Sequence, residues 1–368
     1  MQALIKNPLL SQARCISTNA LNSSNVKVVT STSNNIILNL ATEEYLFEKS
    51  KVLHPMLFLW RNDKTIVIGK HQNPWKECRI KEMEHDGINL ARRKSGGGAV
   101  YQDLGNTCFS FLDPLDESSG SSDFKEYNID VLIEALKSLG ATKAEKSGRN
   151  DIVIEGKKVS GSAYKFNPGS RILHHGTMLI NLDKSAANKY LSPNLAKLKS
   201  KGVDSVKSRI VNLVEIDSTI THERFCEALT KAYKNKHKDK LVEELALNED
   251  ELHKIPEIEE IYNETSTWQW RFGNTPTFSY SLERRFDWGM VEVCLAVENA
   301  KIMNGKVFSD CLFPAFIDTL NKILEKPEVD HTMKGWEKIV EKMKEWIASN
   351  EMYGNFLRDV TSLVHEHI

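Results

Sequence analysis

Leu90-Ala91-Arg92-Arg93-Lys94-Ser95-Gly96-Gly97-Gly98-Ala99-Val100-Tyr101 runs three cations into three consecutive glycines and then into an apolar, strand-like segment. Glycine admits positive φ and has no Cβ, so its backbone can lie close to a ligand and turn N–H groups toward it. Cations beside such a loop suit an anion, with phosphate the first candidate. A surface turn with a solvated charge run reads the same segment equally well, because glycine turns are common. The rest of the chain has to decide between them.

Downstream, Ser147-Gly148-Arg149-Asn150-Asp151-Ile152-Val153-Ile154-Glu155-Gly156-Lys157-Lys158-Val159-Ser160-Gly161-Ser162-Ala163 holds two β-capable segments around Glu155-Gly156-Lys157, a tight turn. Asp151 starts the first strand and Lys158 the second, so a hairpin brings a carboxylate and an ammonium to one end of a site. By spacing alone, a surface charge pair is the commoner outcome of such a pattern. Leu173 to Leu182 reads as a further strand, in which His174 and His175 point to opposite faces and make a poor chelating pair. At least one of them is expected to be structural.

Upstream, Val26 to Thr30 alternates as a strand, and Asn34 or Asn35 caps a helix carrying Ile36, Leu40 and Phe47. Met56-Leu57-Phe58-Leu59-Trp60 and Thr65-Ile66-Val67-Ile68-Gly69 flank Arg61-Asn62-Asp63-Lys64 and read as a β-hairpin. Trp60 is either core or one wall of an apolar ligand pocket. A helix is expected from Lys76 to Asp86, ended by Gly87, and another through Val131 to Leu139, ended by Gly140. Thr107 to Phe111 is a strand. Lys199 to Arg209 is basic, serine-rich and weakly periodic, suited to a loop over an anion or to a solvated linker.

A helix around Phe225, Leu229 and Tyr233 follows, then a highly charged, breakable stretch from Lys234 to about Glu260. Beyond Trp268 the character changes. Phe286 to Val307 reads as antiparallel strands around Gly289 and Asn304-Gly305, the latter a hairpin turn, and Trp336, Ile339, Val340, Met343, Trp346 and Ile347 form a helical stripe of the kind that makes core. That makes a small α+β C-terminal domain of about 100 residues.

The 368 residues allow about two domains. A net charge of −1 with 27% charged residues gives no excess for nucleic acid or a membrane surface. No apolar run reaches the length of a membrane span, so a soluble protein is expected. The six cysteines form no CxxC pair, which fits a reduced intracellular protein. No Asp or Glu precedes Glu43, whereas Lys6, Arg14 and Lys27 are basic. That bias fits a mitochondrial transit peptide, or else a disordered polar tail.

The P-loop, GxGxxG, HExxH and GxSxG patterns are all absent. What remains is Arg93 with the glycine loop, Asp151, Lys158 and the basic loop to Arg209. Attack of a carboxylate on the α-phosphate of ATP needs such parts: cations, an Mg2+ ligand and a water-excluding loop.

Several segments, taken in order, resemble the lipoate–protein ligases of the A type, within the biotin/lipoate ligase family. They are Phe58-Leu-Trp-Arg-Asn62, Ile68-Gly69, Gln72-Asn-Pro-Trp-Lys-Glu-Cys78, Ala91 to Tyr101, and Asp103-Leu-Gly-Asn-Thr-Cys-Phe109. Ser147 to Asp151, Lys158-Val-Ser-Gly-Ser-Ala-Tyr164, His174-His-Gly-Thr177 and Ser205-Val-Lys-Ser-Arg209 continue the match, which reaches Trp268 and weakens beyond it.

The resemblance implies an α+β chain with the biotin/lipoate ligase catalytic fold, mixed β-sheets with flanking helices, and the small accessory domain. Residues 1–25 would be the transit peptide, 26–267 the catalytic domain and 268–368 the accessory domain. The implied chemistry is activation of lipoate by ATP with Mg2+ to lipoyl-AMP. Lipoyl transfer to a lysine of apo lipoyl domains then follows, on 2-oxoacid dehydrogenase E2 subunits and the glycine cleavage H protein in the mitochondrial matrix. A monomer suffices for this.

By motif position, Lys158 is the catalytic residue and contacts both lipoate and adenylate. Arg93, Gly98, Ala99, Val100 and Tyr101 bind the nucleotide, and residues 201–212 cover the adenylate. Outside those motif assignments, Trp60 is a further lipoate contact if it is not core, and Asp151 is the metal ligand or else a structural ion pair or hairpin cap. Gln102 departs from the family, which commonly has histidine there, so no acid–base role carries over to it. A lipoyltransferase using preformed lipoyl-AMP or another acyl donor is the nearest alternative. A non-catalytic lipoyl-domain binding factor would have an altered glycine loop or no Lys158, and neither is seen.

Overall fold

Both faces of Met56–Trp60 are buried, which is why that strand is apolar without alternation. In the computed structural model, which describes residues 25–49, 54–114, 121–148, 150–167, 171–192, 210–272, 280–298, 300–348 and 350–367, this strand lies inside an eight-stranded mixed sheet. The strands are β1 (Val26–Ser31), β2 (Met56–Trp60), β6 (Asn106–Pro114), β7 (Ala144–Ser147), β8 (Asp151–Ile154), β9 (Lys157–Asn167), β10 (Arg171–Leu179) and β11 (Val242–Leu247). Their order is β11-β1-β2-β6-β10-β9-β8-β7. β1 runs parallel to β2 and β11, and the other pairs are antiparallel.

Helices Ser121–Ser138 and His222–Lys236 cover one face of this sheet, over Leu57, Leu59, Phe109 and Phe111. Helices Ile36–Glu44 and Pro256–Ser266 cover the other, over Phe58, Trp60 and Leu173. Asn35 caps the first of these, its Oδ1 accepting from the N–H groups of Ile37 and Leu38 at 3.0 and 3.3 Å. A three-stranded sheet, β4 (Asn89–Arg92)-β3 (Thr65–Ile68)-β5 (Val100–Gln102), lies alongside.

The C-terminal part has its own core and a four-stranded antiparallel sheet of β12 (Tyr280–Phe286), β13 (Gly289–Glu298), β14 (Lys301–Ser309) and β15 (Val329–Asp330). The helical stripe is the helix Met333–Ile347, with Trp336, Ile339, Met343 and Ile347 buried but Trp346 exposed. Among the described residues no helix is long and apolar enough to cross a membrane. Residues 1–24 and 193–209, which hold most of the expected transit peptide and of the basic loop, lie outside the described residues, as does Arg149.

Four expectations are corrected. β2 and β3 are not a hairpin, because they belong to different sheets. Between them Asn62 is buried: its Oδ1 accepts from Asn39 Nδ2 at 3.0 Å and its Nδ2 donates to Gln102 Oε1 at 2.6 Å. Those bonds carry the chain from one sheet to the other where a two-residue turn would have reversed it. The helix expected over 76–86 is broken into Pro74–Glu77 and Ile80–His85, because Cys78 bridges to Leu191 and Arg79 N–H donates to the Tyr190 carbonyl.

The charged stretch after Lys234 holds β11 and the helix Pro256–Ser266. Glutamates are tolerated in β11 because it is the sheet's edge and half exposed. Asn304-Gly305 is no turn but the middle of β14. A Cβ on Gly305 would stand 3.0 Å from Leu295 Cδ2 and 3.2 Å from Leu324 Cβ, so the glycine admits the helix Pro314–Leu324.

Candidate active site

β4 delivers two adjacent arginines, and only the second bonds to the loop that follows. Arg92 donates to the carbonyls of Gly69, Lys70 and Gln72 on one side and of Trp270 and Arg271 on the other. Arg93 turns under the glycines. Its Nη2 donates to the Gly96 and Gly98 carbonyls at 2.8 and 2.9 Å, its Nη1 to the Val67 carbonyl and its Nε to Ser95 Oγ at 3.1 Å. Burial lowers both guanidinium pKa values to about 10, so both stay charged at neutral pH. Lys94 pairs with Glu264 at 3.0 Å and lies over the Trp270 ring. Arg93 therefore braces the loop from within, while Arg92 and Lys94 tie the run to residues outside it.

The loop is closed from the C-terminal side. Gly97, at φ +95°, donates its N–H to the Cys311 carbonyl at 3.0 Å. A Cβ on Gly96 would stand 2.1 Å from that same carbonyl oxygen. Gly96→Ala is therefore expected to force the two apart and to lower stability by about 1–3 kcal/mol, the range for overpacking a tight contact. A thermal melt of the variant matching the parent would contradict this.

β10 separates the two histidines as its pleat requires. His174 is fully buried, stacked on Tyr164 at 4.5 Å, and burial pushes its pKa down to about 3, so it is neutral and structural. His175 faces the glycine loop. Its Nδ1 lies 2.8 Å from both Glu43 carboxylate oxygens and its Nε2 lies 2.7 Å from Ser95 Oγ.

A carboxylate only accepts, so the network assigns the proton to Nδ1, and Ser95 then donates to Nε2. Trp60 Nε1 donates to Ser110 Oγ at 3.1 Å, and Ser110 in turn donates to Glu43. Trp60 is thus buried in the core and tied into this relay. Glu43, Ser95, Ser110 and His175 were not singled out from the sequence as site residues. The one local signal was the split of the two histidines, which left one face of the pair unexplained.

The β8–β9 hairpin forms as expected, with Glu155 and Gly156 at φ +50° and +76° in its turn. Lys158 Nζ lies 2.7 Å from Asp151 Oδ1, both side chains partly solvated. The Lys158 carbonyl accepts from Val211 N–H at 3.0 Å, so the segment leaving the basic loop adds onto this strand. β9 also reaches the glycine loop, since a Cβ on Gly97 would lie 3.7 Å from that of Ala163. Lys158 and Asp151 are therefore together, and the glycine loop meets their strand five residues further on. Tyr101 is buried and in β5, pairing through its backbone with Ile66, while Val100 pairs with Val67.

Residues 35–234, more than half of the chain, match the family of the lipoyl protein ligase A/B catalytic domain. The chain belongs to the lipoate–protein ligase A family. The ligase also matches the bacterial lipoate protein ligase C-terminus over residues 275–357. It is 42% identical to lipoate-protein ligase A of Psychrobacter cryohalolentis over 84% of this chain and 91% of that protein. Among solved structures it is similar to P. falciparum LipL1 in complex with lipoate, at 34% identity and a TM-score of 0.78, over 93% of this chain and 100% of that one. A lipoate-protein ligase A bound with ATP is similar at 25% identity and a TM-score of 0.57, over 68% of the ligase and 99% of that chain.

Proposed function

We propose that this ligase joins lipoate to ATP and passes the lipoyl group to a lysine of apo lipoyl domains. A lipoate carboxylate oxygen attacks the α-phosphorus and pyrophosphate leaves. The acceptor lysine's amine then attacks the acyl carbon, AMP leaves and the amine loses a proton. The observation that carries this reading is Lys158, a partly solvated ammonium held by Asp151 on the strand that runs beneath the glycine loop. A cation there offsets charge where carboxylate and phosphate meet, before and during attack. In this reading Arg93 acts by shaping the backbone of Gly96 to Gly98, with Ala99, Val100 and Tyr101 leading that backbone back into β5. The relay from Glu43 to Ser95, with Trp60 behind it, lines the acyl side. The ATP-bound and lipoate-bound relatives support both ligands.

Mg2+ belongs to the same reading. Among the described residues no group of three His, Cys, Asp or Glu side chains could hold a metal ion. Mg2+ keeps several waters and is commonly bound through one or two carboxylates plus substrate phosphates, so Asp151 alone fits an ion that arrives with ATP. The acceptors are the lipoyl domains of 2-oxoacid dehydrogenase E2 subunits and the glycine cleavage H protein, in the mitochondrial matrix, and the chain divides at 268 into catalytic and accessory domains. Support for the location is the acid-free stretch before Glu43, and a reporter fused to residues 1–30 that stays cytosolic would defeat it.

The reaction is tested with purified ligase, lipoate, Mg-ATP and an apo lipoyl domain. Lipoylation is expected, lost on adding EDTA and retained with EDTA when synthetic lipoyl-AMP replaces lipoate and ATP. Turnover only with lipoyl-AMP, even with Mg2+ present, would make the protein a lipoyltransferase.

A further inference from the structure

The β8–β9 hairpin contains an irregularity with a consequence for Lys158. A regular two-residue hairpin pairs Ile154 with Lys157, Val153 with Lys158, Ile152 with Val159 and Asp151 with Ser160. The first two pairs are present, but Ile152 pairs with Ser160 and Asp151 with Gly161, because β9 carries one extra residue after Lys158. Val159 and Ser160 are both buried. The residue opposite Asp151 thereby becomes a glycine where it would have been a serine. Asp151 and Val153 share a face, so their partners Gly161 and Lys158 do as well.

The space over that glycine is where the Lys158 side chain lies. A Cβ on Gly161 would stand 2.5 Å from Lys158 Nζ, 2.7 Å from its Cε and 3.5 Å from Asp151 Oδ1, and these are its three nearest neighbours. Gly161 has no positive φ, so the backbone itself would accept alanine. The near atoms are the end of a flexible side chain, and they can move.

From this geometry we propose that Gly161 is a positioning residue: the bulge and the missing side chain make the groove that holds the Lys158 ammonium against Asp151. The inference rests on the role of Lys158 given above. Its mark is a separation of effects. A methyl group at 161 displaces an ammonium by about an ångström at little cost to folding, and misplacement on that scale lowers a catalysed rate by about 100-fold.

The test uses the full-length ligase with Gly161→Ala, with Gly354→Ala as a control because a Cβ there meets nothing within 4 Å. Three quantities are read: the melting temperature, the rate of lipoate-dependent ATP–pyrophosphate exchange, and labelling of Lys158 by acetic anhydride relative to the exposed Lys157. For Gly161→Ala the melting temperature is expected within about 2 °C of the parent, a shift worth under 1 kcal/mol. Exchange is expected to fall about 100-fold and relative labelling of Lys158 to change severalfold, with the control unchanged in all three.

Full exchange activity in Gly161→Ala overturns the proposal. So does lost activity with unchanged Lys158 labelling, and so does a melting temperature lowered by far more than that margin, since the methyl would then be meeting something less movable than a lysine end. Lys158→Ala is run beside it. If that variant exchanges normally, the role of Lys158 itself fails. If it is inactive while Gly161→Ala is not, only the positioning inference fails.

Discussion

Lys158→Ala is expected to lower ATP-dependent lipoyl-AMP formation by about 1,000-fold, the upper range for removing one electrostatic stabiliser of a transition state. The protein should stay folded. In the free ligase Lys158 and Asp151 are 38% and 28% exposed, and an ion pair that water reaches contributes about 0–1 kcal/mol to stability. In the proposed reaction the same cation is worth far more, because Coulomb interactions strengthen as bound lipoate and ATP exclude water and the local dielectric falls. Lipoate-dependent pyrophosphate exchange and a thermal melt of the same preparation separate the two effects. Exchange at the parental rate would remove Lys158 from the mechanism.

The second large effect is on stability. His175→Leu leaves the buried Glu43 carboxylate without the imidazole that now lies 2.8 Å from both its oxygens. An under-bonded buried carboxylate costs about 3 kcal/mol, or roughly 6–12 °C at the 2–4 °C per kcal/mol of a domain this size. Glu43→Leu combined with His175→Leu should regain part of that, since an apolar pair replaces the buried polar pair while Ser110 loses the carboxylate it donates to. Ser95 loses its acceptor in both variants, so lipoate binding should weaken even in the stable double variant. A single variant that melts with the parent would show that the relay holds nothing together.

The relay also shows why part of the site was illegible in the sequence. Glu43 sits 132 residues from His175, and Ser95 sits 80 residues from it. No spacing rule joins them. They meet because the helix Ile36–Glu44 packs on the sheet face toward which His175 points, and the glycine loop folds over the same point. Arg93 was legible as important but not in its action, since a cation beside glycines reads alike whether it faces a phosphate or the loop's own carbonyls.

Local chemistry was enough elsewhere. Gly156, next to Glu155, predicted the tight turn between β8 and β9, apolar periods predicted the helices that became the core faces, and strand alternation predicted that His174 and His175 would part. Ordered motifs from Phe58 to Arg209 carried the family. Those are statements about neighbours in the chain, where propensity and period decide.

Tertiary structure alone decided which sheet β2 and β3 join, that a charged stretch supplies the edge strand β11, that Cys311 closes the glycine loop, and that Gly161 lies opposite Asp151. Each depends on burying two faces at once or on one extra residue in a strand. Packing against distant elements overrides local preference at such places.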